Sequence, residues 1–149
     1  MQNTGLLRRL AAILYDALLI FAFLVMLAIV STTILGGQSV YAGGPTYVMG
    51  YNGVRFLIIY LFFILYWTRI GRTLGMQSWG LQLEPMQGGR VSLSQANIRF
   101  FAALLSWAPA GLGFLWQLWD KDKLTWHDRI SGTRLVYYPK PKKEKKKKP

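Results

Sequence analysis

At 149 residues, with 52% hydrophobic and 15% aromatic side chains, the chain has the length of one domain and is too apolar for an ordinary soluble one. Its formal net charge of +12 is unevenly placed, and the absence of cysteine excludes disulfide frameworks and thiolate metal sites. A lone histidine, His127, cannot form a histidine cluster.

Arg8 and Arg9 precede an apolar run from Leu10 to Leu35, longer than the roughly 20 residues a helix needs to cross the hydrocarbon core. A signal h-region is about 7–15 residues, so this one, which also contains Asp16, reads as an uncleaved first span. An isolated carboxylate about two turns inside a span costs roughly 2.5–3.5 kcal/mol even on lenient insertion scales, so Asp16 should have a partner or a task. Arg9 and Asp16 share a helix face, with Cα atoms about 10 Å apart. Arg9, Arg99 and Arg129 are each candidates to close on Asp16, which is expected to matter more than any other acidic residue.

Residues 36–53 carry no Lys, Arg, Asp or Glu, and Gly36, Gly37, Gly43, Gly44 and Pro45 mark a loop. The second span is FLIIYLFFILYW, residues 56–67, extended over Gly53–Ile70, with Arg55 and Arg69 near its ends, where long side chains snorkel. The third apolar region, Phe100–Trp119, is broken at Pro109-Ala-Gly111-Leu-Gly113. Lys and Arg number two before the first span, none in the first loop, four in residues 68–99 and eleven from Lys121 onward. The positive-inside rule puts the N-terminus and residues 68–99 in the cytoplasm of a bacterial inner membrane. One kinked third span would export the eleven charges. A re-entrant hairpin keeps both termini inside, and is favoured.

GLQLEPMQGGRVSL reads as a short β-hairpin at the membrane surface, and Ser92 or Ser94 can cap a helix beginning near Gln95. KLTWHDRISG reads as a short amphipathic helix and TRLVYY as a strand; pairing that strand with the hairpin would hold both on one face. The expected fold is an all-α membrane protein: two transmembrane helices, a third Pro/Gly-broken segment, amphipathic helices and a small cytoplasmic β element. RRLAAILY at 8–15 faintly echoes RFFAALLS at 99–106. Residues 1–138 form the membrane domain and 139–149 a disordered polybasic tail. Lys140–Lys148 should lie on anionic headgroups, at about 1 kcal/mol per basic residue. No interleaved aromatics accompany that run, so nucleic acid is not expected.

Three stretches carry a family likeness. RRLAAILYD resembles the first-helix arginine and aspartate of the RDD family of small membrane proteins. GRTLGMQSWGLQL at 71–83 is similar to that family's Gly-x-Thr-Leu-Gly segment, and WHDRISGTRLV at 126–136 to its His-Asp-x-x-x-Gly-Thr segment. The likeness runs from Gly5 to Tyr138. It implies that Arg8 or Arg9, Asp16 and Asp128 are the named charges, with Thr73, Leu74, Gly75, His127, Gly132 and Thr133 as motif residues. Asp16, Arg9, Asp128 and Arg129 are expected to form one polar cluster. The resemblance implies a multi-pass protein, with transport suggested and ion exchange claimed for some members, and hence a small ion or solute as partner. A non-transporting accessory that assembles other membrane proteins is the other reading. Two spans and a hairpin enclose little of a pathway, so a homo-oligomer is expected. Ser, His and Asp show no triad arrangement, and Gly71, Gly75 and Gly80 are too loosely spaced for a phosphate loop. No enzyme activity, cofactor or metal is expected.

Overall fold

The computed structural model describes residues 2–34, 40–109 and 111–139; the end of the first apolar run and the basic tail from Lys140 lie outside them. Helix α1, Leu6–Ile34, has 29 residues and a mean hydropathy of 2.7 over its most apolar window. At 1.5 Å per residue it is about 43 Å long, more than the roughly 30 Å of a hydrocarbon core. No Pro or Gly interrupts it, and the hydroxyls of Ser31, Thr32 and Thr33 donate back to the carbonyls of Ala28 and Ile29. Those internal bonds let hydroxyls sit in an apolar helix without water. Helix α2, Gly44–Leu65, begins well before the expected Gly53, with Pro45 in its first turn, and runs on through a π-helical turn at Tyr66–Ile70. Both α1 and α2 are long and apolar enough to cross a membrane.

The remaining elements are shorter than the first two helices, and α4 is the longest of them. Helix α3 spans Leu74–Ser78, α4 Leu93–Trp107, α5 Leu112–Leu115 with a 3₁₀ turn at Trp116–Leu118, and α6 Trp126–Ser131. The axes of α4 and the Leu112–Leu118 segment meet at 109°. Strands β1 (Gln2–Asn3), β2 (Leu81–Pro85) and β3 (Thr133–Tyr137) form one antiparallel sheet in the order β1–β3–β2. The expected hairpin within residues 80–93 does not form. Ser92 caps α4, its hydroxyl accepting from Gln95 N–H while the Gln95 side chain accepts from Ser92 N–H. That box captures the chain too soon after Gly88 and Gly89 for a second strand, so β2 takes β3 as its partner.

The structure falls into two units of one plan. In the first, α1 packs on α3, which leads into β2; in the second, α4 packs on α6, which leads into β3. Buried residues follow the same spacing on both long helices: Arg9, Ala12 and Asp16 on α1, Arg99, Ala102 and Ser106 on α4. Each short helix is capped by a threonine, Thr73 or Thr125, and each following strand is preceded by a glycine with positive φ, Gly80 or Gly132. In the sheet Leu83 pairs with Leu135, flanked by Leu81 with Tyr137 and Pro85 with Thr133. That register is the one a two-fold axis between Leu83 and Leu135 would impose on the two strands. The core gathers around this seam from Ala12, Ile64, Trp67, Met76, Leu81, Leu83, Phe100 and Leu135. Helix α2 belongs to the first unit alone and meets α4 through aromatic edges, Tyr60 and Phe100 having ring centroids 5.3 Å apart.

Candidate functional site at the seam between the units

Asp128 sits at the centre. Thr125, the N-cap of α6, accepts from Asp128 N–H at 3.3 Å, and Asp128 Oδ2 accepts from Thr125 N–H at 3.2 Å. The same carboxylate has no exposed surface and receives two guanidiniums from two different helices. Arg9 donates through Nη1 to Oδ2, and Arg99 through Nη1 to Oδ1 at 2.7 Å and to Thr133 Oγ1 at 2.8 Å. Burial alone would raise the carboxyl's pKa, but Arg99 and Arg9 hold it well below the usual carboxylate range. The cluster thus ties α1, α4 and α6 together where both long helices start.

His127 lies beside it, almost fully buried. Burial, and then the neighbouring Arg99, push its pKa down to about 3, so it is neutral at physiological pH. Ser106 gives its proton to the carbonyl of Ala102, leaving its oxygen to accept from His127 Nδ1–H at 3.4 Å. Thr125 accepts from Asp128 N–H and has its own proton for His127 Nε2 at 2.9 Å. The ring therefore carries its proton on Nδ1.

Asp16 is elsewhere in this network. Its carboxylate accepts from Thr73 Oγ1 at 2.5 Å and from Gly75 N–H at 2.8 Å, at the start of α3. A Cβ on Gly75 would lie 2.2 Å from the carbonyl oxygen of Ala12 and 2.8 Å from Asp16 Cγ, so only glycine lets α3 approach α1 this closely. The arginines expected to close on Asp16 are taken by other acceptors. Arg9 and Arg99 turn to Asp128, and Arg129 binds Asp120 at 2.6 Å and the exposed Asp122 at 3.1 Å. Arg129 thus stands outside the cluster. Arg8 lies on the outer side, its guanidinium carbon 3.6 Å from the centre of the Tyr137 ring. Gly132 ends α6 in the left-handed conformation, and the buried Thr133 hydroxyl meets Ser131 at 2.7 Å. Leu74 is half-exposed and touches none of the charges' hydrogen bonds.

Thr125 and Ser106 were not singled out by the sequence, and Arg99 was offered only as a partner for Asp16, not for Asp128. The signal was there for Arg99, since Arg-x-x-Ala-x-x-x-polar recurs on α1 and α4, but the visible echo aligned Arg99 with Arg8, one position away.

Above the charges a cavity of about 460 Å³ opens between α1 and α4. Arg9, Asp16, Arg99 and His127 form its polar floor; Ile20, Leu24, Phe63, Leu104, Trp107 and Phe114 are among its apolar walls. Among the described residues no group of His, Asp and Glu side chains is placed to hold a metal ion.

The RDD family model matches residues 4–132 of this chain. The chain is also 29% identical, over 127 residues, to the uncharacterized protein YxaI of Bacillus subtilis (strain 168), an alignment covering 78% of this chain and 83% of that one. No solved structure matches it.

Proposed function

The chain belongs to the RDD family, and on that premise we propose that it is an inner-membrane transporter or ion exchanger of a small solute or ion, with the Arg–Asp cluster as the cytoplasmic floor of its pathway. The observation that carries this reading is the cavity between α1 and α4, whose lining includes the carboxylate of Asp16 and the guanidiniums of Arg9 and Arg99 near the seam between the units. Transporters commonly hold their sites at such seams, and ionisable groups at membrane depth usually serve a pathway. Topology supports the same orientation for both units. Residues 2–3, 81–85 and 133–137 share one sheet, so the chain between any two of them leaves and returns to one face. That favours a re-entrant course for α4 and α5 over a third crossing, with the sheet and the Lys140–Lys148 tail on the positively charged, cytoplasmic side.

The test is flux in proteoliposomes under a proton or sodium gradient. Asp16→Asn should abolish or strongly slow it, while Arg129→Ala, which lies outside the cluster, should leave it near wild type. Wild-type protein that moves no ion, or flux indifferent to Asp16→Asn, overturns the reading. One observation favours the accessory alternative: only 6% of the most apolar window of each span is buried within the chain. Those faces must be covered by lipid, a second copy or another membrane protein. Cross-linking in native membranes separates a homo-oligomer from a mixed complex.

A further inference from the structure

We propose that a second, smaller cleft, where the end of α2 meets β2, binds a phosphate group, carried by a lipid headgroup or by a free solute. The cleft has a volume of about 210 Å³ and lies between the π-helical turn at Tyr66–Ile70, residues Gln82 and Leu83 of β2, and the segment 89–91. Arg69 and Arg90 both line it, and among the described residues no Asp or Glu does. Neither guanidinium has a hydrogen-bond or ion-pair partner among the described residues, and the Gln82 amide has none either. The acids elsewhere face cations of their own. Asp16 and Asp128 lie with Arg9 and Arg99 around the larger cavity, and Asp120 and Asp122 hold Arg129. Glu84, two residues along β2 from Gln82, lies opposite Arg134 in the sheet register. The cleft is therefore left with two positive charges and no counter-charge.

Backbone ties hold the two arginines there. Leu83 N–H donates to the carbonyl of Gly71 at 2.7 Å, which fastens the end of α2 to β2. Gly88 N–H donates to the carbonyl of Pro85 at 3.0 Å, and Val91 is buried, so the chain is pinned on both sides of Arg90. Two like charges anchored at one cleft repel each other and attract an anion rich in acceptor oxygens. Guanidinium forks match the oxygens of a phosphate group in geometry as well as in charge. Thr68 gives its own proton to the carbonyl of Ile64, so the side-chain donors on offer are Arg69, Arg90 and Gln82. A volume of about 210 Å³ is below the roughly 300–1,000 Å³ of sites that enclose a whole small molecule, so the cleft suits one charged group of a larger ligand or a small free anion. Its place at the end of a span is also where a phospholipid carries its phosphate. The inference does not depend on transport: an anion that is held there and never moved satisfies it.

The test uses the full chain in mild detergent, with Arg69→Gln, Arg90→Gln, the double variant, and Arg72→Gln as a neighbouring charge outside the lining. Neither cleft arginine has a partner within the chain, so without ligand the variants should unfold at the wild-type midpoint. In one arm, inorganic phosphate is titrated against chloride at equal ionic strength, and binding is read as a rise in that midpoint. In the other, retained phosphatidylglycerol is counted by native mass spectrometry; the basic tail is the same in every variant. Each arginine removed should weaken binding about tenfold, the worth of one charge-assisted hydrogen bond, and Arg72→Gln should leave it near wild type. A phosphate response lost in the double variant supports a free solute. Lipid retention lost there without a phosphate response supports a headgroup. No response in either arm, a response that the double variant keeps, or one that Arg72→Gln loses equally would overturn the inference in favour of general surface charge. A midpoint lowered by both single variants without ligand would also overturn it, by giving the arginines a structural role. A flux failure with phosphate or lipid still bound would instead count against transport alone.

Discussion

The two units solve one problem with different chemistry. Each must dock a short capped helix on a long apolar one, and each uses a buried side chain two turns in from the arginine. In the first unit that side chain is Asp16, which caps α3 from outside through Thr73 and Gly75. In the second it is Ser106, and the carboxylate is supplied by α6 itself as Asp128. The first unit therefore brings its helices together by close backbone approach at Gly75, the second by filling the gap with His127. Asp128 alone receives both arginines. The difference teaches that the second unit holds the electrostatic keystone and the first the tighter packing.

The largest break in this comparison should come from Asp128→Asn. It leaves Arg9 and Arg99 buried without a counter-ion, a loss on the order of 3–5 kcal/mol. Asp16→Asn removes no ion pair and keeps an oxygen for Gly75 N–H, so its cost should be about 1–3 kcal/mol. Thermal unfolding in mild detergent ranks them. Equal losses would show that the two carboxylates do equivalent work, and a larger loss at Asp16 would restore the order expected from the sequence.

Gly75→Ala probes the first unit's own device. The added methyl meets backbone at 2.2 Å, so α3 must move off α1, at a cost of about 1–3 kcal/mol with a weakened Asp16 contact. The expected readout is faster proteolysis within residues 71–80. A variant as stable and as resistant as wild type would mean that α3 does not sit this close.

His127 gives the second unit a pH dependence of its own. Its folded pKa of about 3 lies below the ordinary 6.5, so between these values the unfolded chain binds the extra proton. Stability from keeping the ring neutral is complete above pH 6.5 and is lost as pH falls toward 3, by at most about 1.4 kcal/mol per unit. Asp128, depressed by its arginines, adds to the loss in the same direction below the ordinary carboxylate pKa of 3.8. His127→Gln should therefore flatten the midpoint temperature between pH 6.5 and 4.5. An unchanged slope would assign the acid sensitivity to another group.

How much of this was legible beforehand follows from where the information lies. The two spans, the break after Trp107, the α6 helix and the β3 strand are written in local apolar patterning and turn residues, which the sequence displays directly. Gly88–Gly89 has the composition of a hairpin turn, but Ser92 and Gln95 start α4 so soon after it that no second strand can follow. Partner choice for the charges was not legible. Asp16 and Arg9 share a face, but which acceptor each arginine finds depends on α3 and α6, brought there by tertiary packing. Arg129 illustrates the limit: adjacent to Asp128 in the chain, it turns to Asp120 and Asp122 instead.

The smallest predicted effects are those of the arginines at the cluster's border, and they sharpen the boundary between keystone and surface. Arg129 is 49% exposed and pairs with Asp120 and the open Asp122. Exposed pairs contribute about 0–1 kcal/mol, because solvent screens them and two side chains lose freedom. Asp120 also accepts from the backbone N–H groups of Leu124 and Asp122, so its loop keeps other ties when Arg129 is lost. Arg8 stacks on Tyr137, a contact on the order of 0.5–1 kcal/mol. Arg129→Ala and Arg8→Ala should each shift stability by no more than about 1 kcal/mol, with the Arg129 share fading in high salt. Arg9→Ala, at the neighbouring position, removes one of the two partners of Asp128 and should cost several times more. If Arg8→Ala were instead the more damaging of the two, the family arginine would be Arg8 and the keystone would have to be redrawn around the sheet rather than around Asp128.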